Sequence, residues 1–280
     1  MSVKLYKPTT NGRRQASASD FSDLTSSKPV KALVHVLKKH SGRNNQGIIT
    51  VRHRGGGVKR LYRNIDFKQV NFDVLGTVKT IEYDPNRGAR IAYVEYTDGA
   101  KAYVIVPQGL TVGTTIMSSQ KAIDPNVGNR MPLEFIPAGL AVYNIELTPG
   151  KGGQIVRGAG VAAQLQTVEG RFAQLKMPSG EVRMVLKECM ATVGMVGNSD
   201  HKLVRLGKAG RMRLKGWRPV VRGKVMNPVD HPHGGGEGRN PIGLKGGPKT
   251  PWGKKAMGVK TRRKQSSDSL ILERRKKRKK

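Results

Sequence analysis

The positive charge of this sequence sits at its two ends, and that placement limits what each part can fold into. Residues 1–60 hold 13 Lys and Arg against two Asp and Glu, a net of +11. Residues 61–200 hold 14 against 13, and residues 201–280 hold 25 against four, a net of +21. A balanced middle therefore lies between two basic arms. The formal total of +33 would repel itself in a free compact molecule, so an extended polyanion is the expected partner.

Aromatic residues follow the same division. Ten of the fourteen Phe, Tyr and Trp fall within 61–200, whereas the last eighty residues keep only Trp217 and Trp252 among 13 Gly and six Pro. Such a segment cannot bury enough apolar area to order itself, and it is expected to order against a partner. Its final run, 273–280, reads as a solvated charge cluster. The single cysteine, Cys189, excludes a disulfide framework and fits a reducing compartment. No apolar run is long enough to span a membrane, so no membrane partner is expected, and Met1–Thr10 lacks an apolar signal core, so export is not expected.

The middle predicts an all-β fold of two small barrels. Residues 74–83, a turn over Asp84–Gly88, and residues 89–97 make one hairpin, and Asp98-Gly99 opens a second into 101–107. About five strands within 61–131 suit a small closed barrel. A second barrel is expected over 132–200, where Val182, Met184 and Leu186 would face the core and Arg183, Val185 and Lys187 the outside. Two short helices are expected, one after Pro29 through Val30, Leu33, Val34 and Leu37, the other capped by Asn198 or Ser199 and reaching Leu206.

Catalytic signatures are missing. Gly243–Thr250 approaches a phosphate loop, but Pro248 occupies its second glycine position and removes an N–H. Gly150–Gly153 lacks the spacing of a dinucleotide fingerprint. Asp230–Glu237 gathers His231, His233 and two carboxylates, yet Pro232 and Gly234, Gly235 and Gly236 prevent a helix from aligning the imidazoles, and no metal, cofactor or catalytic role is expected. Arg52, His53 and Arg54, followed by Gly55–Gly57, Lys59 and Arg60, repeat the same arrangement of basic and imidazole groups beside a glycine triplet. In both arms it suits backbone laid closely against nucleic acid.

Six strings occur in order: GRNNQGIITVRHRGGGVKRLYR, IEYDPNRGARIA, NIELTPGKGGQ, LGKAGR, RPVVRGKVMNPVDHPHGGGEGRNPIG and TPWGKKAMGVKTR. Together they resemble the bacterial-type ribosomal protein L2 family of the large subunit, over nearly the whole chain. The resemblance implies an OB-type barrel at 61–131 and an SH3-like barrel at 132–200, flanked by rRNA-binding extensions at 1–60 and 201–280. It also implies a structural, non-enzymatic role: primary binding of large-subunit rRNA, support of assembly, of association with the small subunit, of tRNA binding and of the peptidyl transferase region, beside neighbouring ribosomal proteins. The location implied is the ribosome of the bacterial cytoplasm or of an organelle.

Carried over by position, the rRNA-contact residues would be Arg52, His53, Arg54, Gly55, Lys59, Arg60 and Arg63 in the first arm. In the second they begin with Lys208, Arg211, Arg213, Arg218, Arg222 and Lys224 and continue through His231, His233, Gly234, Gly235, Gly236 and Arg239. Lys249, Trp252, Lys254, Lys255, Arg262 and Arg263 complete the set. His231 matches a family histidine proposed to assist peptidyl transfer; a positioning role is what its surroundings lead one to expect. Two departures stand out: Tyr143 replaces an expected His, and Gly158 replaces Ser or Ala. An RNA-modifying enzyme would need an acidic or nucleophilic constellation beside a pocket, and the 13 acids of the middle are scattered singly. A free RNA chaperone would separate from ribosomes in high salt.

Overall fold

The structure, a computed structural model, describes residues 3–275. It is all-β, and the chain separates into two compact units. One comprises 3–38, 59–209 and 269–275 and contains both sheets of the barrels; the other comprises 39–58 and 210–268.

In the first barrel four antiparallel strands lie in the order Lys101–Ile105, Ile91–Tyr96, Leu75–Glu82, Thr115–Met117. Both expected turns form. Asp84 Oδ1 accepts from Asn86 N–H at 2.8 Å, and Asp98 Oδ1 accepts from Ala100 N–H at 2.9 Å while Gly99 takes φ +83°. A bulge between Val78 and Thr80 shifts the inward face from Val78 to Ile81, which strict alternation would have pointed outward. Val78, Ile81, Val94, Val104 and Ile116 then share one core. Parallel bridges from Ile65 to Tyr103 and from Phe72 to Ser118 bring the preceding chain onto this sheet.

The second sheet has seven antiparallel strands, ordered Ile271–Glu273, Val182–Leu186, Phe172–Lys176, Ala163–Glu169, Ala141–Tyr143, Met190–Val193, Arg130–Pro132. Residues 130 and 131, expected in the first barrel, thus pair with Met190–Val193. At the other edge, Ile271–Glu273 of the second arm pairs with Val182–Leu186. Glu273 of the expected charge cluster is therefore in a strand, and 276–280 lie outside the described residues.

Three expectations need correction. In Val182–Leu186 the inward residue is Val185, 3 % exposed, because it pairs with Ala173, whose own side chain is fully buried; Val182, Met184 and Leu186 are half-buried. The helix after Pro29 is a single 3-10 turn, Lys31–Leu33, followed by the strand Val34–Val36, which pairs with Leu61–Arg63. Two β-branched residues with a sheet partner outweigh a short amphipathic pattern. The helix at Asn198 is likewise one 3-10 turn, Ser199–Leu203, and Asn198 does not cap it: its side chain donates to Gly88 O at 2.6 Å.

The second barrel encloses an ion pair. Arg130 is fully buried, donating to Glu146 Oε1 at 3.0 Å and to Asn144 O at 2.7 Å. Glu146 also accepts from the N–H groups of Gly150, Gly152 and Met190. Burial pulls the Arg130 guanidinium below its ordinary pKa, and Glu146 works against that shift. Tyr143 donates its hydroxyl to Ile105 O at 3.2 Å and so ties the second sheet to the first.

Candidate nucleic-acid interface

The unit made of 39–58 and 210–268 carries 19 Lys and Arg and three Asp and Glu, a net of +16 in 79 residues. Among the described residues it has no apolar core, and its one buried side chain is His231, 8 % exposed. Its path is marked by backbone hydrogen bonds and ring contacts.

Residues 53–58 run antiparallel to 214–218. Gly55 N–H donates to Gly216 O, Val58 N–H to Leu214 O and Arg218 N–H to His53 O, all within 3.1 Å. A Cβ on Gly57 would come within 3.0 Å of the Gly216 backbone, so glycine is what allows this approach. The pairing sets the Arg54 guanidinium 3.4 Å from the Trp217 ring centroid. His53 Nδ1 lies 3.1 Å from Pro219 O; a carbonyl only accepts, so Nδ1 carries the proton.

Around these strands lies a cleft of about 420 Å³, lined by Ser41, Arg43, Ile49, Arg52, His53, Arg54, Gly55, Gly56, Arg218 and Pro219. Four arginines and a histidine line a space whose lining includes no carboxylate among the described residues. Arginine forks in that setting suit phosphate oxygens, and the stacked Trp217 fixes one fork's plane. Arg52 also lies 5.2 Å from the ring centroid of Trp252, which stands 74 % exposed on the Thr250–Gly253 turn. Arg43 is the cleft residue that the charge and glycine patterning did not single out; its only signal is its place in the first family-like string.

A second focus surrounds His231. Its Nδ1 accepts from His233 N–H at 3.0 Å, and His233 Nε2 accepts from Lys249 N–H at 2.8 Å, so each imidazole spends a lone pair on the backbone. The rings lie 4.7 Å apart. Gly223 packs closely on His231: a Cβ there would run into the imidazole ring. Lys224 Nζ donates to the carbonyls of Arg239 and Asn240, both at 3.3 Å, closing the loop that holds Gly234, Gly235 and Gly236. The close contact of Gly234 is with Asn227 of the same segment.

The expected contact residues thus separate by their place in the structure. Arg52, His53, Arg54, Gly55, Arg218 and Trp252 come together at the cleft. Around the His231 loop are His233, Lys224, Arg239 and Lys249, while Arg213, Arg222, Lys254, Lys255 and Arg263 are exposed beyond both foci. Arg211 is half-buried, and Arg262 pairs with Asp268. Lys59, Arg60, Arg63 and Lys208 belong to the barrel-bearing unit. Two of the expected residues are buried: His231, 8 % exposed, lies inside the loop, and Arg63, 9 % exposed, turns back to donate to Leu61 O at 2.9 Å.

Two family models match the chain: the RNA-binding N-terminal domain of ribosomal proteins L2 over residues 30–118, and their C-terminal domain over 126–253. The chain belongs to the ribosomal protein L2 family. It is accordingly a structural constituent of the large ribosomal subunit, where it binds rRNA beside neighbouring ribosomal proteins, and the family is structural rather than catalytic. The L2 matches divide the cleft: Arg43, Arg52, His53 and Arg54 fall in the N-terminal domain, Arg218 and Pro219 in the C-terminal one.

Proposed function

We propose that the chain anchors itself in large-subunit rRNA through the arginine cleft, with both basic extensions as the contact surface and the barrels as a scaffold. Residues 1–60 and 201–280 serve as the extensions and 61–200 carries the two barrels, the strand Arg130–Pro132 belonging to the second. The observation that carries this reading is the cleft itself, lined by four arginines and His53 with no carboxylate among its lining residues. Arg52, Arg54 and Arg218 bind phosphate, Trp252 stacks on a base, and Lys224, His233 and Lys249 position the loop. Bound there, the chain supports subunit assembly, association with the small subunit, tRNA binding and the peptidyl transferase region of a bacterial cytoplasmic ribosome, while RNA performs the chemistry.

The test is the salt dependence of binding to purified large-subunit rRNA. Each phosphate contact contributes about 0.7–0.9 to the slope of log affinity against log salt. Arg54→Gln together with Arg218→Gln is expected to lower that slope by about 1.5. An unchanged slope would remove the cleft from the interface. Release of the full-length protein from large subunits in a high-salt gradient would instead favour the free RNA chaperone.

A further inference from the structure

Residues 3–19 are joined to the last residues before the second unit. Val3–Leu5 and Ser17–Ser19 form an antiparallel hairpin, with the short helix Asn11–Arg14 between them. The other edge of Ser17–Ser19 is occupied as well. Ser17 N–H donates to Arg205 O at 2.9 Å, and Ser17 Oγ accepts from Arg205 N–H at 2.8 Å, across 188 positions of sequence. Ser17 is 2 % exposed. Gly207, at φ +75°, lies so close to the hairpin that a Cβ there would stand 2.7 Å from Ala16 Cβ and 2.8 Å from Gly12 O.

The hairpin is itself fastened to the first barrel. Arg90, 3 % exposed, donates through Nε and Nη2 to the two carboxylate oxygens of Asp23, at 2.8 and 3.0 Å, and through Nη2 to Ser19 Oγ at 3.0 Å. Ile81 N–H donates to Thr25 Oγ1 at 2.8 Å, and Thr25 N–H to Ile81 O at 3.0 Å. A chain of contacts thus runs from Arg90 through Ser19 and Ser17 to Arg205 and Gly207, just before the second unit begins at Gly210.

Charge does not hold this joint together. Residues 3–19 carry Lys4, Lys7, Arg13 and Arg14 and no carboxylate, and 199–208 carry Lys202, Arg205 and Lys208 against Asp200. The Lys208 stem lies against Gly12, next to Arg13 in sequence. Directed hydrogen bonds and a close-packed glycine therefore bring two basic segments together against their repulsion. Ordering the start of a basic arm in advance lowers the entropy that the arm must lose on binding.

We propose that Ser17 is a positioning residue for rRNA binding: the strand Ser17–Ser19, tied to the first barrel by Arg90, clips residues 203–208 and fixes the root of the second basic arm in the free protein. Ser17 is buried and acts through Arg205 rather than by touching RNA. The consequence for affinity rests on the rRNA-binding reading, whereas the clip itself does not.

The experiment uses the full-length protein. Hydrogen exchange of the Arg205 amide is followed without RNA, and affinity for deproteinised large-subunit rRNA is measured across a KCl series. Ser17→Ala removes the acceptor and is expected to speed exchange at Arg205 about fivefold, with the amides of Val94 and Leu165 in the barrels unchanged. Gly207→Ala drives a methyl group towards Ala16 while leaving Ser17 whole, and it is expected to do the same from the opposite side. In the wild type, raising KCl from about 0.01 M to about 0.15 M is expected to slow exchange at Arg205, because screening relieves the repulsion. Both variants are expected to bind rRNA about three- to tenfold more weakly with the wild-type salt slope, since ordering is lost and no phosphate contact is. Wild-type exchange at Arg205 in both variants, or wild-type affinity in both, would overturn the inference. So would a reduced slope, which would make the clip a phosphate contact, or faster exchange in added KCl, which would mean that ion pairs hold the joint. Faster exchange and weaker binding here, beside an unchanged slope in Arg54→Gln/Arg218→Gln, would remove the cleft and leave the clip standing.

Discussion

At the scale of single residues, His231 takes the part that an apolar side chain plays elsewhere. Among the described residues the unit around it buries nothing else, and its ring is gripped by Gly223 on one face and by the His233 N–H at Nδ1. An imidazole held this way orders the loop, and its lone pair is already committed. Gly223→Ala puts a methyl group into the ring, so backbone must move. The expected result is faster tryptic cleavage between Arg211 and Lys264 in the free protein, with the melting of the barrels unchanged; a wild-type digestion pattern would show that His231 does not organise the loop. The sequence displayed the histidines and glycines of this loop but suggested that the glycines admit RNA. Within the chain, Gly234 meets Asn227, Gly235 meets Pro228 and Gly236 meets Asn240, contacts that depend on how the loop folds over itself and leave no periodic trace.

At the scale of elements, the strands of the first barrel were legible because turn chemistry brackets them: Asp84 and Asp98 each accept a backbone N–H, and the expected hairpins form around them. Less legible was which face a strand buries, since a bulge or a pairing partner decides it, as with Ile81 and Val185. Edge strands drawn from distant sequence, such as Ile271–Glu273, carry no local signal of where they dock. The Arg130–Glu146 pair was equally hidden, although it holds three elements at once: the strand Arg130–Pro132, the loop at Gly150 and Gly152, and the N–H of Met190. Removing one partner from a buried pair strands the other charge and costs about 3–5 kcal/mol. Glu146→Gln is therefore expected to lower the melting temperature by roughly 10 °C, at about 2–4 °C per kcal/mol for a protein of this size. A shift of a degree or two would mean that water reaches Arg130.

At the scale of the whole molecule, the charge boundaries in the sequence anticipated the physical contrast between the units better than they anticipated their membership. Residues 39–58 join 210–268 across more than 150 positions, while the last described strand returns to the barrels. One unit has continuous apolar cores; the other has a net charge of +16, one buried imidazole among its described residues and a ladder of hydrogen bonds open to water. Such a unit has little to oppose its own repulsion until an anion arrives, so local opening is expected to be easy in the free protein. Hydrogen exchange reads this directly. In low salt, the amides of Gly55, Val58 and Arg218 are expected to exchange far faster than those of Val94 or Leu165 in the barrels. A ligand that binds only the ordered unit stabilises it by RT ln(1 + [L]/Kd), about 2.7 kcal/mol at a free concentration of 100 Kd. Saturating rRNA at that level is expected to slow exchange of those arm amides about a hundredfold, while the barrel amides change little. If the arm amides of the free protein were already as protected as the barrel ones, the unit would be stable without RNA, and the self-repulsion argument would be wrong.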